Sequence, residues 1–120
     1  GHPAARLDLL LSGKGAQAYV EVKNVTLLEE GRLLFPDAVS VRATRHLQVL
    51  QGLADSGRRA VILFALNRPE GRSFSPAEAI DPVYAATLRG VVANGVEVVA
   101  VRLHHGPRDI DVAGPVETVL

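Results

Sequence analysis

Apolar and polar positions alternate most clearly over residues 19–25, YVEVKNV, and this alternation predicts a β-strand with two different faces. Val20 and Val22 fall on one face, whereas Glu21 and Lys23 fall on the other, because successive strand side chains point to opposite sides. An acid and an amine are therefore expected side by side on one face of a sheet.

A second strand is predicted over residues 6–12, joined to the first by a short link with the glycines of a tight hairpin. With a link of about four residues, Ser12 pairs with Gln17, and the antiparallel register then places Asp8 opposite Glu21. Two carboxylates opposed across neighbouring strands repel each other and destabilise the sheet. A bound cation would remove that repulsion, so the pattern predicts a metal site at Asp8 and Glu21.

The rest of the chain is predicted to form two helices and further strands. The continuous apolar run within residues 59–66 is typical of a central strand that is buried on both faces. Two segments that contain glycine and proline, residues 26–36 and 67–79, are expected to be irregular. The predicted elements after the hairpin are a helix over residues 39–56, a strand over 59–66, a helix over 82–93, a strand over 96–103 and an edge strand within 109–120.

This order, β-β-α-β-α-β(-β), predicts an α/β fold, with α+β as the alternative. Strand–helix–strand units favour parallel pairing, so we expect a mixed β-sheet with an antiparallel hairpin at one side, flanked by helices. Asp37 or Ser40 can cap the first helix, and Asp81 can cap the second. The predicted apolar stripes are Val41, Leu47, Leu50, Leu53 and Ala54 on the first helix, and Val83, Tyr84, Leu88, Val91 and Val92 on the second.

Length and composition fit a single globular domain. The chain has 120 residues, and 13 basic residues balance 13 acidic ones, so no general attraction to nucleic acid or membrane is expected. The absence of cysteine excludes disulfides and thiolate metal sites and fits a cytoplasmic location. No apolar run approaches the length of about 18 residues that a membrane span needs. Because the sequence lacks an initial methionine and a strand begins almost at once, we interpret it as part of a longer protein.

Asp8, Glu21 and Lys23 form a pattern typical of metal-dependent nucleases. Carboxylates are hard oxygen ligands that suit Mg²⁺ or Mn²⁺. The metal polarises the phosphoryl group and activates water, and a lysine can orient that water or stabilise developing negative charge. The alternative is an ordinary solvent-facing acid–lysine pair on an amphipathic strand, which is a common arrangement.

Basic residues near the start of the first helix form a second candidate site. Arg42, Arg45 and His46 follow a helix start, where backbone N–H groups and the helix dipole favour phosphate, and arginines add bidentate contacts. These residues therefore form a candidate nucleic-acid-binding site. The alternative is a capped helix with solvated basic side chains.

Several stretches of the chain together resemble the sugar fermentation stimulation protein A family. The most specific are VEVKNVTL at residues 20–27 and FPDA at residues 35–38, and the resemblance extends in order over nearly the whole chain. It implies that this chain is the C-terminal, nuclease-like domain of a longer protein with an OB-like N-terminal domain, which this chain lacks. It further implies a restriction-endonuclease-like core, DNA as partner and a link to sugar (maltose) metabolism in bacteria.

The resemblance also implies roles for individual residues. Asp8 matches the first acidic residue of the nuclease motif, and Glu21 and Lys23 match its E-x-K part. Asp8, Glu21 and the Val22 carbonyl would bind metal, and Lys23 would position water. Asp37, Arg42 and His46 fall in the family's characteristic motif region, where the wording around Arg42 departs from the family's usual pattern.

Three functions remain open from the sequence. The chain can be a Mg²⁺-dependent phosphodiesterase that acts on DNA or RNA, a non-catalytic DNA-binding regulator that keeps the acidic pocket, or a structural module that serves a missing domain. The valine-rich final strands offer an edge at which a dimer could form.

Overall fold

A computed structural model describes residues 9–13 and 16–120 of the chain. Within these residues the chain forms nine strands and two helices. In chain order they are β1 (Leu9–Gly13), β2 (Ala16–Val25), β3 (Leu27–Glu29), β4 (Arg32–Phe35), α1 (Val41–Asp55), β5 (Arg59–Leu66), β6 (Ser73–Pro76), α2 (Pro82–Ala93), β7 (Glu97–His105), β8 (Ile110–Pro115) and β9 (Glu117–Thr118).

Five strands form the main sheet, in the order β1-β2-β5-β7-β8. β1 and β2 form an antiparallel hairpin, β2, β5 and β7 are parallel neighbours, and β8 returns antiparallel to β7. The predicted α/β class, with a mixed sheet flanked by helices and β5 at its centre, is therefore confirmed. The predicted pairing of Ser12 with Gln17 is also confirmed. Asp8 lies outside the described residues, so its predicted position opposite Glu21 stays a prediction.

A second sheet, in the order β3-β4-β6-β9, was not predicted. It corrects two expectations, because residues 26–36 form the hairpin of β3 and β4, and residues 67–79 contain β6. The hairpin turns at Glu30 and Gly31, which both have positive φ (50° and 80°), as a two-residue turn of this kind requires. Strands of three or four residues are too short to show a clear alternation, which is why the sequence pattern did not reveal them.

The two helices start side by side, and one carboxylate connects their first turns. Ser40 caps α1 by accepting a hydrogen bond from the Ala43 N–H at 3.0 Å. Asp81 caps α2 with one oxygen, 3.0 Å from the Tyr84 nitrogen, and accepts the Ser40 N–H with the other at 2.9 Å. Asp81 therefore holds the starts of both helices, and it is itself buried.

The main core lies between the helices, β5 and the second sheet. Phe64 of β5 and Phe74 of β6 stack with ring centroids 4.1 Å apart, and Leu47 and Leu88 contribute from the two helices. The predicted helix stripes were wrong at Val41 and Val83, which are both about two-thirds exposed. At roughly 100° per residue, each points well away from the core leucine of its helix, Leu47 or Leu88.

A smaller apolar cluster lies on the opposite face of the main sheet, around Ala18, Val20 and Val61. In the part of the chain that the structure describes, neither helix is long and apolar enough to cross a membrane.

Candidate functional site

Strand β2 carries the predicted acid and amine, and it presents them to the inside of the protein. Glu21, Lys23 and Val25 share one face of the strand, and Val25 belongs to the main core beneath the helices. Glu21 is completely buried, and the side chain of Lys23 is only 14% exposed. The alternative of a solvent-facing pair is therefore excluded.

Glu21 and Lys23 are in direct contact. Lys23 Nζ lies 3.0 Å from Glu21 Oε2, as expected for two oppositely charged groups two residues apart on one face of a strand. Burial of a carboxylate is unfavourable unless charged or polar partners compensate it. The contact with Lys23 supplies one such partner from the same strand.

Helix α1 supplies a third polar group, His46. Its Nδ1 atom lies 2.7 Å from Lys23 Nζ and 2.7 Å from Glu21 Oε2. The three side chains therefore form a closed triangle of one carboxylate oxygen and two nitrogens. We call Glu21, Lys23 and His46 the EKH cluster.

The helix periodicity explains how His46 reaches this position. The buried face of α1 contains Ala43, Leu47 and Leu50, and His46 is three residues after the first and four before the last. It is 3% exposed, so it belongs to the face that packs on the sheet. On sequence alone His46 was grouped with the basic residues Arg42 and Arg45. Its spacing from Ala43 and Leu50 indicates the buried face of the helix, but it does not indicate which strand residues it contacts.

Tyr84 of α2 lies close to the EKH cluster. The side chain is completely buried. Burial raises the pKa of the Tyr84 hydroxyl far above its usual value, and the nearby carboxylates of Glu21 and Asp81 raise it further because they oppose a second negative charge. Tyr84 therefore remains a neutral phenol at any pH at which the protein functions.

The second predicted site is only partly assembled. Arg42 and Arg45 are exposed on α1, where they can meet a ligand, but His46 points into the protein. The phosphate argument for the helix start is weakened, because the Ala43 N–H already donates to Ser40 and the Ser40 N–H donates to Asp81. Asp37 is also exposed.

The described residues supply one carboxylate of the predicted metal site. In residues 9–13 and 16–120, no group of three or more His, Asp or Glu side chains is arranged to hold a metal ion. Glu21 provides a buried hard oxygen ligand, and the other predicted ligand, the backbone carbonyl of Val22, belongs to the next residue of the same strand. This donor set fits Mg²⁺, which binds proteins through one or two carboxylates and keeps several waters. The second predicted carboxylate, Asp8, lies outside the described residues.

The fold and the site together define a class of protein, namely an α/β domain whose mixed sheet carries a buried acid–lysine pair that a helical histidine completes. A sequence model of one family, described as "Sugar fermentation stimulation protein RE domain", matches residues 2–109. The chain therefore belongs to the sugar fermentation stimulation protein family, which confirms the resemblance inferred from the sequence.

Individual relatives agree with this assignment. A sugar fermentation stimulation protein homolog from Citrifermentans bemidjiense is 53% identical over 98 residues, which cover 82% of this chain and 42% of that protein. The homolog from Geotalea uraniireducens is 46% identical over 110 residues, covering 92% of this chain and 48% of that protein. The chain thus spans about half the length of the curated relatives it matches.

A solved structure has the same fold. The structure of Pyrococcus furiosus SfsA in complex with Ca²⁺ matches 96% of this chain and 50% of that chain, with a TM-score of 0.89 and 34% sequence identity.

Proposed function

We propose that this chain is a nuclease-like domain that hydrolyses phosphodiester bonds of nucleic acid, with DNA as substrate, and depends on Mg²⁺ or Mn²⁺. The observation that carries the proposal is the complete burial of Glu21 in contact with Lys23 and His46. A buried carboxylate with two nitrogen bases is unfavourable for folding compared with apolar packing, so its presence favours a functional role.

Each residue of the proposed site has a separate role, either as a metal ligand or in orienting water. Glu21 and the Val22 carbonyl would supply oxygen ligands to the metal, and Asp8, which the sequence register predicts opposite Glu21, would supply the second carboxylate. The bound metal would polarise the phosphoryl group and lower the pKa of water. Lys23 orients the attacking water and stabilises negative charge that develops on the phosphate.

The solved relative supports the choice of cation. The Pyrococcus furiosus protein is described as a complex with Ca²⁺. Ca²⁺ and Mg²⁺ both prefer oxygen ligands, and Ca²⁺ is the more tolerant of geometry. Oxygen ligands in this chain would therefore suit Mg²⁺ or Mn²⁺ as the working ion.

A second function is a non-catalytic DNA-binding regulator of sugar metabolism. Two observations favour it: Arg42 and Arg45 are exposed on one helix, and the relatives carry the name sugar fermentation stimulation protein. In this case the arginines contact phosphates, and the EKH cluster has no catalytic role. A cytoplasmic location belongs to both proposals.

A cleavage assay with matched lysine variants separates the two functions. The sequence contains only two lysines, Lys14 and Lys23, so Lys14→Met is the control for Lys23→Met. With labelled single- and double-stranded DNA and Mg²⁺ or Mn²⁺, we expect Lys23→Met to lower the cleavage rate by about 10²–10³-fold, the usual effect of removing one charge-stabilising group. Lys14→Met is expected to cleave at the wild-type rate.

Cleavage that is equal in wild type, Lys23→Met and Glu21→Gln would contradict the nuclease proposal. Absence of cleavage together with DNA binding that weakens in Arg42→Ala and Arg45→Ala would support the regulator. Phosphate contacts also make such binding fall steeply with salt concentration.

A further inference from the structure

We propose that His46 is a positioning residue that holds the Lys23 ammonium beside Glu21. This role rests on the proposed function, because it concerns the lysine to which that function assigns the orientation of water. The inference itself depends only on the contacts among the three side chains of the EKH cluster.

The Lys23 side chain needs such a restraint. A lysine has four flexible carbons, and holding it in one geometry loses about 2 kcal/mol of rotamer entropy. Its partner on the same strand, Glu21, contacts Nζ through a single oxygen at 3.0 Å. One contact to a charged oxygen fixes a distance but leaves the ammonium free to swing around that oxygen.

His46 supplies a second fixed point from another element. Its imidazole has only two rotatable side-chain bonds, it is 3% exposed, and its Nδ1 lies 2.7 Å from Lys23 Nζ. An ammonium can only donate hydrogen bonds. A lysine that donates to Nδ1 leaves the ring proton on Nε2. The same Nδ1 lies 2.7 Å from Glu21 Oε2, and the ammonium, which contacts both atoms, offsets the repulsion between these two acceptors.

The helix that carries His46 is itself firmly held. Ser40 caps its first turn, and the Asp81 carboxylate ties that turn to the start of α2. Ala43 and Leu47, which flank His46 on the buried face, belong to the main core. The contact with His46 thus restrains the end of the flexible lysine relative to a helix that is itself held in place.

The alternative is that His46 only fills space between helix and sheet. Three substitutions distinguish the two roles. Asn places an amide near the position of Nδ1 and can accept the hydrogen bond, Gln places its amide near the position of Nε2, and Leu has a similar volume without any polar atom. A packing role predicts that Leu is tolerated best, whereas a positioning role predicts that Asn is.

The test measures the lysine directly, in metal-free protein without DNA. Lysine is labelled with ¹⁵N, and the exchange rate of the Nζ protons with water is followed by NMR. Because the chain contains only Lys14 and Lys23, the spectrum contains two side-chain signals, and Lys14 is the internal control.

In wild type we expect slow exchange at Lys23. We expect roughly tenfold faster exchange in His46→Leu and His46→Gln, as for the loss of one hydrogen bond to a charged group. Exchange in His46→Asn is expected to remain close to the wild-type rate, and Lys14 is expected to be unchanged in all variants. Circular dichroism shows which variants are folded, and if His46→Leu is not, the comparison of His46→Gln with His46→Asn decides.

The inference would be overturned if the Lys23 exchange rate in His46→Leu or His46→Gln equalled the wild-type rate. It would also be overturned if the rate in His46→Asn were as fast as in His46→Gln. The readout needs neither metal nor cleavage. If the protein proves not to cleave DNA, the Lys23 exchange rates still test the role of His46. If the exchange rates contradict that role, metal binding and cleavage are still tested by their own assays.

Discussion

Replacing Asp81 with alanine tests the structural basis of the site, because this carboxylate holds the starts of both helices. The substitution removes the N-cap of α2, which is worth about 1 kcal/mol. It also leaves the partly buried Ser40 N–H without its acceptor, which costs about 1–2 kcal/mol. We therefore expect Asp81→Ala to lower the free energy of unfolding by about 2–3 kcal/mol. For a chain of this length, about 4 °C of Tm corresponds to 1 kcal/mol, so Tm should fall by about 8–12 °C.

Thermal and urea unfolding followed by circular dichroism measure this effect. Asp37→Ala is the matched control, since Asp37 is exposed and lies in the loop before Ser40. It should change the free energy of unfolding by less than about 0.5 kcal/mol. Asp81→Asn keeps one acceptor oxygen, so its loss in free energy of unfolding should lie between those of Asp81→Ala and Asp37→Ala. A loss below about 1 kcal/mol for Asp81→Ala, no more than removal of a single cap, would refute the account of a carboxylate that joins two helix starts.

Two further substitutions test the core and the buried phenol. Gly71 has φ +97°, and a Cβ there would lie 2.9 Å from the buried Leu33 side chain. Gly71→Ala should therefore destabilise by about 1–3 kcal/mol more than Gly57→Ala, which has φ +86° and open space; equal losses in urea unfolding would contradict this packing. The raised pKa of Tyr84 means that the unfolded chain releases this proton above about pH 10 while the folded protein retains it. Wild type should consequently lose stability relative to Tyr84→Phe as the pH rises above about 10, the ordinary tyrosine pKa. A parallel loss in the two proteins would be the opposite result.

The main sheet could be predicted from the sequence because its strands have clear patterns. The alternation in β2 and the continuous apolar run of β5 each extend over several residues, so the periodicity is unambiguous. The glycine-containing link gave the correct hairpin register, although β1 extends to Gly13 and β2 begins at Ala16. The second sheet could not be predicted, because β3 and β4 have only three and four residues and their pairing depends on tertiary packing.

The candidate site was predicted in part for a similar reason. The spacing of Glu21 and Lys23 on a strand required that they share a face, and they do. The pattern did not reveal that this polar face is the one covered by helices, since polar strand faces usually meet solvent. Nor did the pattern predict that His46 contacts β2, because the packing of a helix on a sheet is not encoded in the spacing within either element. Val41 and Val83 show the converse error, since they are apolar but lie off the buried faces of their helices.

Binding of Mn²⁺, measured by isothermal titration calorimetry, tests the proposed metal site without any knowledge of the substrate. Wild type is compared with Glu21→Gln and Asp8→Asn, and Asp37→Asn serves as an exposed control. We predict that wild type and Asp37→Asn bind one ion with equal affinity. Each of the other two variants should bind at least about tenfold more weakly, as for the loss of one charged ligand in a site of few protein ligands. Equal Mn²⁺ affinity in wild type and Glu21→Gln would contradict the account.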